Sequence, residues 1–292
     1  MDPLTPLLNS APRYPERIVC LTEETTEILY RIGAGELVVG VSGFTVRPKE
    51  ARKKPRVSSF LDANFDRILE LKPDLVLGFS DLQADLAREL ALRGVPVYLF
   101  NQRSISEILQ TVRVVSALVG RAEQGTALAD ELAANLERHA TNAAKLPRRP
   151  RVFFEEWNEP LISGIRWCSE LVELVGGDDI CAESRVHQAA KGRIYDPAEI
   201  ARRNPDLVIA SWCGRKASAE KMRARPGWSS VRAVIDDQLY EVKSAFILQP
   251  GPAALTDGVD QLAQIVRAAA CGEKLPAPRE GDLRQALTGE AW

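Results

Sequence analysis

The chain writes one short element twice. Residues 65–79 read F-D-R-I-L-E-L-K-P-D-L-V-L-G-F, and residues 197–212 read P-A-E-I-A-R-R-N-P-D-L-V-I-A-S-W. Each is a helical run closed by Pro-Asp, then an apolar strand, then an aromatic residue at the strand's end, Phe79 or Trp212. Proline cannot continue a helix, and it pushes the residue before it away from helical dihedrals, so the helix must stop there. A strand with no polar alternation is covered on both faces, as in a parallel sheet between helical layers. The two Pro-Asp-Leu-Val segments start at Pro73 and Pro205, nearly half a chain apart. A repeat at that distance predicts two similar α/β lobes, and two lobes imply a cleft.

The flanking sequence extends the repeat. In the first lobe, strands are predicted at Arg17–Leu21, Leu37–Val41, Leu75–Gly78 and Val97–Phe100, and helices at Thr25–Ile32, Asn64–Leu71 and Gln83–Arg93. Gly33 and Gly35 read as helix breakers. Helix formers fill the next stretch, giving helices over Ile105–Val119 and Arg121–Lys145, the second on the order of 35 Å long. The Pro-rich run L-P-R-R-P-R then marks a boundary. In the second lobe, Val152–Phe154 matches the first strand and Trp167–Leu174, ended by Gly176-Gly177, matches the first helix. A helix at Pro197–Asn204, strands at Leu207–Ala210 and Leu239–Val242 and a closing helix at Thr256–Ala269 follow. The expected division is an N-terminal extension (1–16), an N-terminal α/β lobe (17–103), linker helices (104–147) and a C-terminal α/β lobe (148–292).

Composition narrows the function classes. A 292-residue chain that is 45% hydrophobic and 27% charged can build its core without disulfides or a structural metal. A formal net charge of −2 gives no electrostatic case for nucleic acid or an anionic membrane. No apolar run approaches the ~20 residues of a membrane span. The N-terminus has neither a basic start nor a sustained apolar stretch. The expected location is therefore cytoplasmic as written, or periplasmic if the chain was trimmed. Cys20, Cys168, Cys181, Cys213 and Cys271 show no CxxC spacing, so mostly buried thiols are expected rather than a disulfide framework or zinc site.

With these segments in hand, the chain resembles the substrate-binding proteins of ABC importers that carry vitamin B12, haem and iron–siderophore complexes. The likeness spans about residues 16–275. Its carriers are the opening R-I-V-C-L-T-E-E-T-T-E-I-L-Y-R-I-G-A-G-E-L-V-V-G-V-S, F-D-R-I-L-E-L-K-P-D-L-V-L and the long linking helix, then S-E-L-V-E-L-V-G-G-D-D-I and A-E-I-A-R-R-N-P-D-L-V-I. It is nearest the vitamin B12-binding branch. The resemblance implies two doubly wound lobes with parallel central sheets, joined by a long rigid helix. It also implies one ligand per chain, in a cleft between lobes that closes only slightly.

In that branch aromatic side chains at strand ends and loops hold the ligand. The matching positions are Phe44, Phe60, Phe79, Trp212 and Phe246, with Trp157 and Trp167 as further candidates. A corrin has apolar faces and a polar rim, and aromatic walls bury such faces at low entropic cost. The resemblance also implies docking onto a transporter permease through one carboxylate per lobe. Asp66 matches in the first lobe, but in the second the same register falls on Ala198, with Glu199 beside it.

Two acidic clusters occupy equivalent places: Glu23, Glu24 and Glu27 after the first strand of one lobe, and Glu155, Glu156 and Glu159 after that of the other. Glu27 is expected to be structural, at the helix start. Glu24 and Glu156 are candidate acceptors for ligand amides, amines or a metal. Arg47, Arg166, Arg193 and Lys243 are basic residues expected near the cleft, with Arg166 the one best placed in a turn to project into it. Of the two histidines, His139 is expected to face solvent and His187 is a candidate axial ligand to cobalt or iron. Cys213 is a candidate soft ligand.

No Gly-x-Ser-x-Gly, P-loop or HExxH motif is present, and no catalytic residue is assigned. The expectation is non-enzymatic binding of a metal chelate, corrinoid first and iron–siderophore or haem second, with no intrinsic cofactor and a monomeric chain. A corrinoid- or tetrapyrrole-handling enzyme of chelatase-like fold is the alternative of a different class. It would rely on His187 with Glu156.

Overall fold

The computed structural model describes residues 13–279 and 281–286, so residues 1–12 of the expected N-terminal extension lie outside it. The chain divides into two compact units. One comprises residues up to Asn101 with Val112–Leu128; the other comprises Gln102–Thr111 with Ala129 onward. Residues expected in the linker are thus shared between the units, and each unit is described by itself.

The first unit holds β1 (Ile18–Cys20), α1 (Glu23–Arg31), β2 (Val38–Ser42), β3 (Arg56–Ser58), α2 (Phe65–Glu70), β4 (Leu75–Phe79), α3 (Ala84–Leu92) and β5 (Val97–Phe100). Helices α4 (Ile105–Leu118) and α5 (Ala122–Ala143) follow. The sheet order is β3-β2-β1-β4-β5, with every neighbouring pair parallel. β1 and β4 are buried at every residue, as their unbroken apolar sequences require. Gly33 ends the first helical stretch at φ +73, a conformation that costs glycine little.

The second unit holds β6 (Arg151–Asn158), β7 (Leu161–Ser163), α6 (Arg166–Leu174), β8 (Asp178–Asp179), α7 (Pro197–Arg203), β9 (Leu207–Ala210) and α8 (Ala219–Arg223). Then come α9 (Arg232–Ile235), β10 (Leu239–Glu241), α10 (Ser244–Ile247), a π-helical turn over Ala254–Gly258 and α11 (Val259–Ala270). The sheet order is β10-β9-β6-β7, with β8 also on β6. All pairs are parallel except β6 with β7. That hairpin corrects one expectation: β6 runs on to Asn158, so Glu155 and Glu156 lie within the strand and not after it. Its second half pairs with β7, a strand too short to be visible in the sequence. The closing helix starts later than expected, because the π turn intervenes. A Cβ on Gly258 would stand 2.5 Å from the Phe246 carbonyl oxygen, so only glycine fits there.

The doubled element has one mechanical role in both units. The Asp74 carboxylate accepts from the amides of Glu16 (2.8 Å) and Arg17 (2.9 Å), and the Asp206 carboxylate accepts from the amide of Arg151 (3.0 Å). Each aspartate therefore fixes the start of the central strand beside its own. In return, Arg17 donates to the Leu71 carbonyl and Arg151 to the Arg203 carbonyl, closing the helices that precede the prolines. Burial alone would raise the Asp206 carboxyl, but the Arg151 amide, Arg148 and Arg232 outweigh it and hold it below the ordinary carboxylate value.

Candidate functional site

In doubly wound sheets ligands bind beyond the carboxyl ends of the strands, where the strand order reverses. In the first unit that point lies between β1 and β4, and in the second between β6 and β9. The loops leaving these four strands are therefore where functional side chains should gather.

At the first unit's switch point, β1 delivers Thr22, Glu23 and Glu24, and β4 delivers Ser80 to Gln83. Both glutamates open α1, where acidic side chains complement the helix dipole. Both are buried, Glu24 at 1% exposure. Burial pushes the Glu23 carboxyl up to about 7. Burial, reinforced by the neighbouring charges of Glu23 and Glu27, pushes Glu24 up to about 8, against the opposing Thr22 hydrogen bond. Thr22 Oγ1 donates to Glu24 Oε1 at 2.6 Å, and Glu24 Oε2 has no partner among the described residues. A protonated Glu24 therefore has one donor to offer. Glu27 is buried and accepts from Arg47 Nε at 3.2 Å, which makes Arg47 part of the unit's framework.

The loop after β4 is locked from beneath. Gln83 is fully buried; its Oε1 accepts from the Phe79 amide at 2.9 Å and its Nε2 donates to the Phe60 carbonyl at 2.9 Å. Gly78 lets this amide approach, since a Cβ there would meet Gln83 Oε1 at 2.8 Å. Phe60 and Phe79 lie with ring centroids 6.5 Å apart. Phe79 is buried, Phe60 half-buried and Phe44 open to solvent at 54%. Leu61 (65%) and Leu82 (61%) are exposed in the loops after β3 and β4. Sequence reasoning missed both leucines. Their one signal was an apolar residue set among turn residues directly after a strand.

In the second unit, buried ion pairs support the strand ends. Glu155 is fully buried on β6; Arg225 grips its two oxygens at 2.7 Å each, and Trp212 Nε1 donates to it at 2.9 Å. Glu156 pairs with the buried Arg193 at 2.8 Å and accepts from the Ile165 amide. Trp212, at 4% exposure, belongs to the unit's hydrophobic core. Trp167 and Phe246 are also buried, with Trp167 Nε1 donating to the Ile247 carbonyl at 2.8 Å. Both indoles thus find a partner for their polar edge within the unit.

Trp157 packs against the edge of the same core. It lies half-buried at the upper end of β6, and its Nε1 donates to the Glu159 carbonyl at 2.9 Å. Arg215, from the loop after β9, covers its ring at 5.3 Å. The pair sits at the second switch point. Arg215 was not legible in the sequence, where Trp-Cys-Gly-Arg gives no hint that Gly214, at φ +67, turns the chain back toward β6. Arg166 is exposed at the start of α6 and paired with Glu170 at 2.7 Å, and Lys243 is exposed after β10.

The remaining candidates scatter. His187 is exposed and packs against Gly192, where a Cβ would clash with the imidazole. His139 overturns its expectation of solvent: it is 7% exposed, with Nε2 2.7 Å from Asp260. Cys20, Cys168 and Cys181 are buried, whereas Cys213 and Cys271 are exposed. Among the described residues no group of three or more His, Cys, Asp and Glu side chains is placed to hold a metal ion. Asp66 is exposed in the first turn of α2, and Glu199, in the first turn of α7, is tied to Arg203.

Two α/β units, each doubly wound, with apolar and cationic side chains at their switch points, define the class of solute-binding proteins. The chain belongs to the periplasmic binding protein family, whose model matches residues 18–246. It is 28% identical over 261 residues to an uncharacterized ABC transporter substrate-binding lipoprotein, YvrC, of Bacillus subtilis, covering 86% of this chain and 80% of that one. It is 28% identical over 272 residues to a vitamin B12-binding protein of Vibrio cholerae, covering 91% and 94%. The crystal structure of the periplasmic vitamin B12-binding protein BtuF of Vibrio cholerae superposes with a TM-score of 0.70 at 26% identity, over 88% of this chain and 99% of that one. Among the described residues no helix is long and apolar enough to cross a membrane.

Proposed function

We propose that this protein binds a planar metal chelate, a corrinoid in the first instance, and presents it to the permease of an ABC importer. The observation that carries the reading is the set of apolar side chains left in water at strand ends. Phe44, Leu61 and Leu82 are each more than half exposed, and Phe60 and Trp157 are half-buried beside the switch points. Single exposed apolar residues are ordinary, but several in the loops that leave the carboxyl ends of one sheet, as Phe44, Leu61 and Leu82 do, are the pattern of a surface that awaits an apolar ligand face. The vitamin B12-binding relatives make a corrinoid the first candidate. The role is carriage without chemistry: of the His187 and Glu156 pair on which an enzyme would rely, Glu156 is engaged by the buried Arg193 and His187 is exposed. The chelate is cargo and not a resident cofactor.

The test is calorimetric titration of the full chain with cyanocobalamin, haem and a ferric siderophore, followed by the absorption spectrum of the recovered ligand. Saturable binding of cyanocobalamin with an unchanged spectrum is expected. Chemical conversion of the ligand would move the protein into the enzyme class, and failure to bind any of the three would remove the reading.

A further inference from the structure

Within the second unit, the later part of α5 and the whole of α11 run side by side in the same direction. Asn135 Nδ2 donates to the Leu255 carbonyl at 2.9 Å, His139 Nε2 lies 2.7 Å from Asp260 Oδ1, and Arg148 donates to the Ala269 carbonyl at 2.9 Å. Each contact lies further along both stretches, so the pairing is parallel. Between the second contact and the third the two stretches part around a cavity of about 320 Å³. Its walls are His139, Asn142 and Ala143 of α5 with Leu146 just beyond, and Asp260, Ala263, Gln264 and Arg267 of α11. Both sets follow i, i+3, i+4, i+7 spacing, which is one face of a helix. An alanine in the middle of each stripe cannot fill the space that a leucine would, and the gap stays open.

Val175, buried just beyond α6, also lines the cavity. Gly176 beside it lets the wall close in: a Cβ there would stand 2.8 Å from Leu146 Cδ1 and 3.2 Å from the Ala143 Cβ. Ala143, Leu146, Val175 and Ala263 thus give an apolar interior, and the charges stand at its two ends. At one end Asp260 is already engaged, by the buried His139 at 2.7 Å and by Arg138 at 3.7 Å. At the other end Arg267 meets Glu273 through one nitrogen at 3.0 Å, with both side chains more than half exposed. An ion pair so open to water holds weakly and can be exchanged. From Asp260 to Arg267 the helix rises about 10 Å, the extended length of a chain of about eight carbons. None of these residues leaves the carboxyl end of a strand, so the cavity is separate from the surface assigned to the chelate.

We propose that this cavity is a second binding site, for a small amphipathic carboxylate with an unbranched apolar chain. The chain lies on Ala143, Leu146, Val175 and Ala263, and the carboxylate meets Arg267, whose planar fork can take both of its oxygens. An amine of the same length would bring a second cation to Arg267 and find Asp260 already in use. An alcohol would leave the arginine with its weak surface partner. The volume is at the lower limit for small-molecule sites, too small for a corrinoid.

The experiment titrates the full chain, methyl-labelled at alanine, leucine and valine, with octanoate, octanol and octylamine, and follows the methyl signals by NMR. Octanoate is expected to shift the signals of Ala143, Leu146, Val175 and Ala263 saturably. Octanol and octylamine are expected to bind at least about ten-fold more weakly, as the loss of a charge-assisted bond to arginine implies. Arg267→Gln should bring octanoate down to the level of octanol. Ala263→Leu, which fills the cavity, should abolish the shifts at Ala143, Leu146 and Val175. The thermal midpoint of each variant establishes that it folds, and if Ala263→Leu does not fold, the surface substitution Arg267→Gln decides alone. Equal binding of the three ligands, a preference for the amine, or octanoate binding that survives Arg267→Gln undiminished overturns the inference. So do shifts confined to methyl groups elsewhere, and so does the absence of any saturable shift.

Discussion

At the residue scale, the informative side chains are buried polar groups. Glu24 opens a helix within an acidic run, and the run makes it a candidate acceptor for a ligand. The fold instead seals it behind β1, and burial holds its carboxyl near 8. This has a pH consequence with a definite sign. Below the ordinary carboxylate value of 4.5 the group is protonated in both folded and unfolded chains and contributes nothing. Between that value and about 8 the folded chain keeps a proton that the unfolded chain releases. Raising the pH through this window therefore lowers stability. Glu24→Gln keeps a neutral amide that can still accept from Thr22, and it removes the titration. Urea unfolding at pH 5 and at pH 8 should find the variant close to the parent at the lower pH. At the higher pH it should be more stable, by an amount on the order of a few kcal/mol. Parallel stability profiles for variant and parent would sink this account.

At the scale of elements, the Pro-Asp repeat explains itself once the hydrogen bonds are known, and it exposes a difference between its copies. In each, the residue before the proline takes a left-handed conformation, Lys72 at φ 48 and Asn204 at φ 47. Asparagine tolerates that region and lysine does not, so the first copy carries local strain that the second avoids. Asn204 also accepts from the Arg232 amide at 2.8 Å, a bond that suits it further to its place. Lys72→Asn should stabilise the chain by about 0.5–1 kcal/mol, seen as a higher urea midpoint with an unchanged slope. A lower midpoint would mean that the lysine makes up for its backbone elsewhere. The strands and helices of the repeat were legible because helix stops and apolar runs are local signals. The hairpin of β6 with β7 was not, because a three-residue strand has too few positions to show alternation. Nor was the fate of Trp212, since an aromatic at a strand end looks the same whether it faces a ligand or donates to a buried Glu155.

For the whole molecule, the question is what two similar units do together in one chain. Each carries its own switch point, and each could in principle present a separate binding surface. The surfaces differ in chemistry: exposed apolar side chains and protonatable carboxyls in the first unit, arginine on indole in the second. An exposed apolar surface suits a flat chelate face and a cation held on an indole suits a charged group, so the two surfaces need not serve ligands in the same way. The number of ligands bound separates these cases. Calorimetric titration with the chelate that binds should saturate at one ligand per chain. Phe44→Ser in the first unit or Trp157→Ser in the second should weaken that event by roughly ten-fold, according to which unit's aromatic surface the ligand covers. A stoichiometry of two, with each substitution abolishing a different event, would show that the repeated units bind separately and that their different surfaces serve different ligands.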